Sequence, residues 1–400
     1  MERNINNDEW NVLKSRLKGT GIELERPLHS PEEYHSFRDY AAEKRYQNGK
    51  DTVTTRFASI PAVIEAAWKL VRFFKILQEE NMFCVDDLKE NVYFHAKTGK
   101  MVFKDPDGLR KWEEIPEEAA LDGTAEIPPK EAGDVLKYRE SFHAPEQVLG
   151  KVRENSRDTQ NWSLAVYLYE LFYHSGSPFS GHLSMKQVFF SKEEEILWMA
   201  GEGIFTMEDD SCKNRPVHGV QDRLIRYWEH YPQVLRDIFT QIFVEGKEDV
   251  QKRCTPLEWQ QVLNRLKTQY LTCKCGAKGF LSGFVQNPQG YYQCPKCGNI
   301  FYVLSTQDNE IYLSTSDETR IFRWQVFPEK PENQEVLGVV MENRQHKGVY
   351  GIKNMSSETW MGVFPNGEER PVGPGGGIPL WKGLQITFQE GNTWRIKGEV

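Results

Sequence analysis

The sequence has little of what marks membrane, secreted or nucleic-acid-binding proteins. No apolar run approaches the roughly 20 residues that cross a bilayer, and the first ten residues contain no apolar signal core. No basic block is present and the formal net charge is −8, so neither nucleic acid nor an anionic membrane is an expected partner. We expect a cytoplasmic protein whose 400 residues form two or three domains.

The sequence lacks the cysteine pattern of a disulfide framework, because its seven cysteines form one cluster of four and three scattered residues. Three of the seven cysteines are scattered and read as reduced thiols. The other four lie in C-K-C-G and C-P-K-C-G, namely Cys273, Cys275, Cys294 and Cys297. Two Cys-Gly knuckles predict a structural zinc site with four thiolates and no open position. The first pair has one intervening residue instead of two, and a redox pair is the alternative interpretation.

Apolar spacing predicts several helices. Residues 1–18 contain an amphipathic helix that serves either for packing or as a partner-docking arm, and residues 59–80 form a longer one capped by Ser59. Between them we expect polar loops with little strand pattern and one helix near residues 33–46. Later helices are expected at 192–198 and at 224–243 with a break at Tyr231-Pro232, and a capping box opens another at Thr255.

The stretch N-W-S-L-A-V-Y-L-Y-E-L-F-Y predicts a helix that is apolar nearly all round and therefore buried. It follows Ala144-Pro145-Glu146 and precedes Ser177-Pro178-Phe179. This order resembles the large lobe of a eukaryotic-type protein kinase, beginning at the A-P-E motif. Arg253 and Glu146 match the positions of a structural ion pair in that lobe.

The resemblance extends to the catalytic region, where the 59–80 helix, an acidic loop, a hairpin and a second acidic loop follow in order. It implies that Asp86 takes the place of the catalytic base. Asn91 takes that of the metal-binding amide and Asp105 that of the D-F-G aspartate. Asn91, Asp105 and Asp107 would then bind Mg²⁺ and ATP.

Departures from the family pattern weaken the catalytic interpretation. Cys84 and Val85 stand where His and Arg belong, Pro106-Asp107 replaces Phe-Gly, and Gln160 replaces an aspartate that steadies the catalytic loop. The 58 residues before Ser59 contain no G-x-G-x-x-G and no V-A-I-K-like strand, which implies that the small lobe is absent. The three aspartates are therefore interpreted as vestigial solvated carboxylates, and retained Mg²⁺ or nucleotide binding is the alternative.

Further segments sharpen the resemblance. The segments N-R-P-V-H-G-V-Q-D-R-L-I-R-Y-W, Y-P-Q-V-L-R-D-I-F and R-C-T-P-L-E-W are similar to those of a bacterial protein-kinase-like family. Its members are encoded beside a von Willebrand factor A protein and a type-2C phosphatase in tellurite-resistance-type gene groups. The resemblance implies that such proteins, or a true kinase, are the partners.

Residues 301–400 change to short strand-like runs that predict a β-sandwich. The runs are F-Y-V-L, E-I-Y-L, I-F-R-W-Q-V-F, V-L-G-V-V-M, T-W-M-G-V-F, L-Q-I-T-F and T-W-R-I. G-I-K-N-M-S-S-E-T-W is similar to the later half of a forkhead-associated domain. No Gly-Arg plus Ser-x-x-His pair is present to read phosphothreonine, so protein docking is the default, and Gly373–Gly377 reads as a loop.

These observations predict a multidomain α+β protein with four parts. They are an N-terminal arm at 1–30, a kinase large-lobe-like helical domain at 31–270, a zinc ribbon at 271–305 and a forkhead-associated-like β-sandwich at 306–400. The leading interpretation is a non-catalytic kinase-like scaffold that binds protein partners in bacterial phospho-signalling. The alternatives are an ATP- and Mg²⁺-dependent Ser/Thr kinase whose small lobe comes from another chain, and a phosphopeptide-binding adaptor.

Overall fold

The computed structural model has two compact units, Met1–Trp259 and Gln260–Val400. It describes residues 2–24, 33–48, 51–85, 87–104, 108–112, 141–152, 154–209, 211–286, 292–306, 310–315, 319–388, 391 and 393–397. Helices and antiparallel sheets both occur within these ranges, which confirms the mixed α+β class. No helix of the described ranges combines the length and apolar character that a membrane span needs.

In the described part of the first unit, more residues lie in helices than in strands. In chain order the helices are α1 (Asn7–Leu17), α2 (Phe37–Ala41), α3 (Ile60–Glu79), α4 (Leu88–Asn91), α5 (Pro145–Val148), α6 (Arg157–Tyr173), α7 (Lys192–Gly201), α8 (Asp222–His230) and α9 (Gln233–Thr240). A π-helical turn, Gln241–Glu245, continues α9. Helix α10 (Pro256–Gln269) begins in this unit and continues in the second.

Within the described ranges, nine short strands accompany these helices. They are β1 (Glu2–Asn4), β2 (Ile22–Leu24), β3 (Tyr34–Ser36), β4 (Arg45–Asn48), β5 (Asp51–Thr54), β6 (Met82–Cys84), β7 (Val92–His95), β8 (Met101–Phe103) and β9 (Leu109–Trp112). The β7–β8 hairpin that the sequence predicted is confirmed. Gly99 closes its turn with φ +64, and a Cβ there would lie 2.4 Å from the backbone oxygen of Ala62 on α3.

Helix α6 is the buried centre of the first unit. Ser156 caps its N-terminus by accepting a hydrogen bond from the Thr159 amide at 3.2 Å. The helix is buried along nearly all of its length, and Trp162 stacks on Phe179 at a ring distance of 6.0 Å. The predicted all-round burial is confirmed. The aromatic side chains of α6 contribute most to the packing because each buries a large apolar area.

The other long helices also follow their sequence signals. In α3, Ser59 accepts a hydrogen bond from the Ala62 amide. The predicted break at Tyr231-Pro232 separates α8 from α9. At the start of α10, Glu258 accepts from the Thr255 amide at 2.7 Å and Thr255 accepts from the Glu258 amide, so the predicted capping box is present.

The residues before Ser59 correct two expectations. Strand β1 pairs with β9, β2 pairs in parallel with β8, and β3 pairs with β7. Strands β4 and β5 form a hairpin with each other. The expectation of little strand pattern here was wrong, and only α2 is helical within 33–46. Strands of three or four residues show too little alternation of apolar and polar side chains to be predicted from sequence. Their structure depends on pairing with other strands.

Asn214 fixes the turn that follows α6. Its side chain is fully buried and donates to the carbonyls of Phe179 and Ile204 at 2.8 and 2.7 Å. Its Oδ1 accepts from the amides of Leu183 and Ser184. One amide side chain thus makes four hydrogen bonds to backbone, which holds the 179–186 segment in one conformation.

Two antiparallel sheets form most of the second unit. The four-stranded sheet has the order β16-β17-β18-β21 and the six-stranded sheet β15-β14-β23-β22-β19-β20. Their strands are β14 (Phe301–Ser305), β15 (Glu310–Ser314), β16 (Arg320–Phe322), β17 (Val336–Glu342), β18 (Tyr350–Asn354), β19 (Trp360–Val363), β20 (Glu369–Val372), β21 (Gly377–Pro379), β22 (Gln385–Thr387) and β23 (Thr393–Lys397). Short pairs β10 (Tyr270–Thr272) with β11 (Lys278–Phe280), and β12 (Val285–Gln286) with β13 (Tyr292–Gln293), precede them.

The two large sheets share one apolar core. Leu304 and Ile386 from one sheet and Val340 and Ile352 from the other belong to the same buried cluster. Within the expected strand I-F-R-W-Q-V-F, however, Arg323–Val326 forms a short helix, α11. Its first turn is closed because the Gln325 side chain accepts from the Phe322 amide at 2.8 Å.

Candidate metal centre and the loop after β6

The four clustered cysteines lie in two tight turns. Cys273 and Cys275 occupy the turn that joins β10 to β11, and Cys294 and Cys297 follow β13. In each turn the amide of the glycine donates to the carbonyl of the first cysteine at 2.8 Å. Gly276 and Gly298 both have positive φ, at +85 and +71. Glycine is required there because a side chain is strained in this backbone region.

The sulfur positions match a tetrahedral metal site. All four Sγ atoms lie within 4.8 Å of one another. The Cys273–Cys297 and Cys275–Cys294 Sγ distances are 3.6 and 3.5 Å. A tetrahedron of thiolates around zinc, with Zn–S near 2.3 Å, requires sulfur separations of about 3.8 Å. The predicted grouping of the four cysteines is confirmed, and together they could hold a metal ion.

Hydrogen bonds from backbone amides favour the thiolate form of Cys294. Burial raises the pKa of the Cys294 thiol, but hydrogen bonds from the Lys296 and Cys297 amides outweigh it and lower the pKa to about 7. Burial raises the pKa of Cys273 to about 12. A bound cation would compensate the buried negative charge, because metal ligation deprotonates cysteine.

The cysteine turns are packed against the large sheet. Cys273 and Cys294 share a buried cluster with Leu271, Phe284 and Phe301. Phe301 lies in β14, which pairs with β15 on one side and β23 on the other. The predicted division at residue 305 falls at the end of this strand, so one β-strand serves both the cysteine turns and the six-stranded sheet.

The loop in which the resemblance places the catalytic base follows β6. Of the residues proposed for catalysis and Mg²⁺ binding, Asp86, Asp105 and Asp107 lie outside the described residues. Asn91 is described and ends α4, and its backbone carbonyl accepts from the Lys104 amide at 3.0 Å. This bond connects α4 to the end of the β7–β8 hairpin.

Gln160 contacts the strand that leads into this loop. Its Nε2 donates to the Met82 carbonyl at 3.2 Å. Its Oε1 is buried and has no hydrogen-bond partner in the part of the chain that the structure describes. A carboxylate at this position would accept backbone N–H groups, whereas this amide donates to a carbonyl.

A cluster of charged side chains that has no local signal in the sequence lies beneath this loop. Lys89 lies 3.0 Å from Glu170 of α6, whose side chain is 5% exposed. Burial raises the pKa of Glu170, and the Lys89 ammonium opposes this effect. Asp87 caps α4 and lies 3.7 Å from both Lys89 and Arg38. Lys89 and Glu170 are far apart in sequence, so no local pattern links them.

The Leu88 amide completes the connection between the loop and α6. It donates to the hydroxyl of Tyr167, which lies on α6 and is buried, at 3.2 Å. Burial raises the pKa of Tyr167 well above its ordinary value, so the hydroxyl stays neutral and acts as an acceptor. The start of α4 is therefore held to α6 by one hydrogen bond from a backbone amide and one ion pair.

The ion pair between Glu146 and Arg253, which the resemblance implies, is present. The guanidinium contacts both carboxylate oxygens, at 2.7 and 2.8 Å. It joins α5 to the residues just before α10. This contact is structural and gives no information about catalysis.

No protein-family model matches the sequence, and no curated protein matches it either. The function is therefore inferred from the residues of the chain itself.

Proposed function

We propose that this chain is a kinase-like scaffold, related to the bacterial kinase-like family named above, that binds protein partners and does not transfer phosphate. The supporting observation is the strand pairing of the residues before α3. In a working kinase, this part of the sequence contributes the glycine-rich loop, lysine and glutamate that hold ATP. Here β2 and β3 flank the β7–β8 hairpin on either side and give a four-stranded sheet, β2-β8-β7-β3.

The charges around the loop after β6 support the same proposal. Lys89 is bound to a buried carboxylate of α6, and Asp87 caps α4. Phosphoryl transfer depends on charged groups that are free to meet phosphates and Mg²⁺. Lys89 and Asp87 instead stabilise the loop, Lys89 through its ion pair with α6 and Asp87 by capping α4. This structural role is the one expected in a scaffold.

The second unit has a supporting role in this proposal. Cys273, Cys275, Cys294 and Cys297 hold one structural Zn²⁺, which supplies folding free energy and no catalysis because four thiolates fill its coordination. The two-sheet domain, which we propose is forkhead-associated-like, serves as a docking module in bacterial phospho-signalling. The partners are a type-2C phosphatase, a von Willebrand-type protein or a true kinase.

Calorimetric titration of Mg²⁺-ATP into the purified chain tests the absence of catalysis. We expect no heat of binding, no thermal shift and no transfer of phosphate to the chain or to a generic Ser/Thr substrate. Asp105→Ala is the matched variant and should behave like the parent. Micromolar binding that this variant loses would overturn the scaffold proposal in favour of a kinase completed by another chain.

Sedimentation velocity with the purified phosphatase and the von Willebrand-type protein from the same gene group tests the scaffold role. A complex with at least one of them is expected. If both sediment independently of the chain, and a kinase from that group does too, the proposed role is wrong.

A further inference from the structure

Several exposed apolar side chains lie in the segment before α7 and on α7 itself. Sixteen large apolar side chains are exposed among the described residues, and four of them fall within 13 positions. These four define the 185–197 patch: Met185 (44% exposed), Val188 (79%), Phe190 (90%) and Leu197 (47%). Isolated exposed apolar residues are ordinary, but a concentration of them marks an interaction site.

The capping geometry of α7 explains why Phe190 is exposed. Ser191 is the N-cap and accepts from the Glu194 amide at 3.2 Å, so Phe190 precedes the cap. An apolar residue there normally packs on the fourth helical residue, which here is Glu195. The carboxylate of Glu195 is 2.7 Å from Lys192. At the helical position that normally covers such a ring, α7 therefore offers Phe190 a charged side chain instead of an apolar one.

Hydrogen bonds and a ring contact fix the backbone of the 185–197 patch. Asn214 accepts from the Leu183 and Ser184 amides directly before Met185. The Phe190 amide donates to Glu194 at 2.8 Å, and the Phe189 ring lies 5.9 Å from Trp198. These contacts position the loop against α7 before any partner arrives, which reduces the entropy lost on binding.

Charges around the patch indicate the chemistry of its occupant. Residues 185–202 contain four glutamates but only two lysines. Glu193, Glu194 and Glu202 are all exposed. A second copy of this chain would bring the same acidic rim and repel it, whereas a basic segment is attracted.

We propose that the 185–197 patch docks a basic amphipathic segment of a partner protein. Apolar side chains of that segment cover Val188, Phe190 and Leu197, and its Lys or Arg side chains face the glutamates of α7. Helix-in-surface recognition of this kind uses anchors at i, i+3, i+4 and i+7. The inference rests on the proposed scaffold function and names one of its docking surfaces.

Fluorescence anisotropy with a defined peptide tests the proposal. The probe is a labelled peptide of about 16 residues in which Leu follows helical spacing and Lys fills the other positions. The Phe190→Ser/Leu197→Ser variant of the full chain should bind it about tenfold more weakly, as loss of an aromatic anchor does. Both side chains are exposed, so the variant should keep the circular dichroism spectrum and unfolding midpoint of the parent.

Two controls separate the patch from general attraction to an acidic protein. Val285→Ser removes a 55% exposed apolar side chain from the second unit and should leave the affinity unchanged. A peptide with Glu in place of Lys should not bind. Equal binding of the Lys peptide by parent and patch variant, or binding of the Glu peptide, overturns the proposal.

Sedimentation of the chain alone tests the remaining alternative, in which a second copy of the chain covers the patch. A concentration-dependent dimer that Phe190→Ser abolishes would assign the patch to self-association and overturn the basic-partner proposal. A failure of the scaffold function would instead appear as ATP turnover, which does not depend on Phe190. If complexes with partners survive in the patch variant, only this docking surface is excluded.

Discussion

Both Nη atoms of the Arg253 guanidinium donate hydrogen bonds to the Glu146 carboxylate, at 2.7 and 2.8 Å, and the Arg253 side chain is fully buried. The Nε atom donates to the Gly246 carbonyl at 2.8 Å, and the guanidinium lies 5.1 Å from the Trp162 ring centre. This one side chain therefore connects α5, α6 and the π-helical turn region. Lysine cannot replace it, because only the planar fork contacts both carboxylate oxygens at once.

We predict that Arg253→Met lowers the free energy of unfolding by about 3 kcal/mol or more, because Glu146 loses its buried partner. Arg253→Lys should recover only part of the loss. Urea denaturation followed by tryptophan fluorescence measures both. Arg223→Lys, at a 41% exposed side chain, is the control and should change little. Parent-like stability of Arg253→Met would contradict the structural role.

Metal removal should unfold the cysteine turns and weaken the second unit. Atomic emission should find one zinc per chain in the parent and a large loss in Cys294→Ser, because three thiolates hold the ion less tightly. A chelator should lower the melting temperature of the parent. Cys212→Ser changes a buried thiol outside the cluster and should retain the zinc. A parent without zinc, or full zinc in Cys294→Ser, would contradict the site.

Lys89 and Glu170 should show strong coupling in a double-mutant cycle. Lys89→Met leaves the carboxylate of Glu170 buried and unpaired, and should cost about 3 kcal/mol of unfolding free energy. The double variant Lys89→Met/Glu170→Leu should be more stable than Lys89→Met alone, because the uncompensated charge is gone. Chemical denaturation measures all three variants. Simple additivity of the single effects would show that the pair does not interact energetically.

Gly181→Ala should destabilise the turn that Asn214 holds. A Cβ at this position would lie 2.0 Å from the backbone oxygen of Asn214, so the backbone must shift. We expect a loss of about 1–3 kcal/mol, as for overpacking in a core. Gly176→Ala is the matched control, since nothing lies within 4 Å of its added Cβ. If both substitutions have the same effect on the urea midpoint, the close packing at Gly181 is not energetically important.

Stability at acid pH should depend on Glu9. Hydrogen bonds from Arg3, and to a smaller extent from Asn6 and Lys111, lower its pKa from 4.5 to about 2 against the effect of burial. The contribution is therefore complete above pH 4.5 and lost as the pH falls toward 2. Glu9→Gln should flatten the fall in urea midpoint over this range. Asp8→Asn, which changes an exposed carboxylate of the same helix, should leave the slope unchanged.

Local signals allowed several parts of this structure to be predicted. Helices α3 and α6 are long enough for their apolar spacing to be unambiguous, and the cysteine turns combine donors and glycines within a few residues. Strands β1, β2 and β20 were missed because each spans three or four residues and depends on a distant partner. In β20, Pro371 lies in the strand, where a proline argues against strand structure from sequence alone.

The charged cluster beneath the loop after β6 shows a different limit. Glu170 is the one charged residue in the apolar stretch of α6, but nothing in the sequence identifies Lys89 as its partner. Their pairing exists only because α6 is buried on every side and brings a carboxylate under α4. The A-P-E glutamate was assigned its partner only through resemblance to a family, since 107 positions separate it from Arg253.

The direction of the hydrogen bond from Gln160 to Met82 determines which side chains position 160 can hold. An aspartate at position 160 would place a carboxylate where the present contact is a backbone carbonyl, and two acceptors repel. A carboxylate at this position would be accommodated only if the strand before Cys84 presented an amide group in place of that carbonyl. The Met82 carbonyl therefore requires a side chain with a hydrogen-bond donor at position 160, which an ionised aspartate or glutamate lacks.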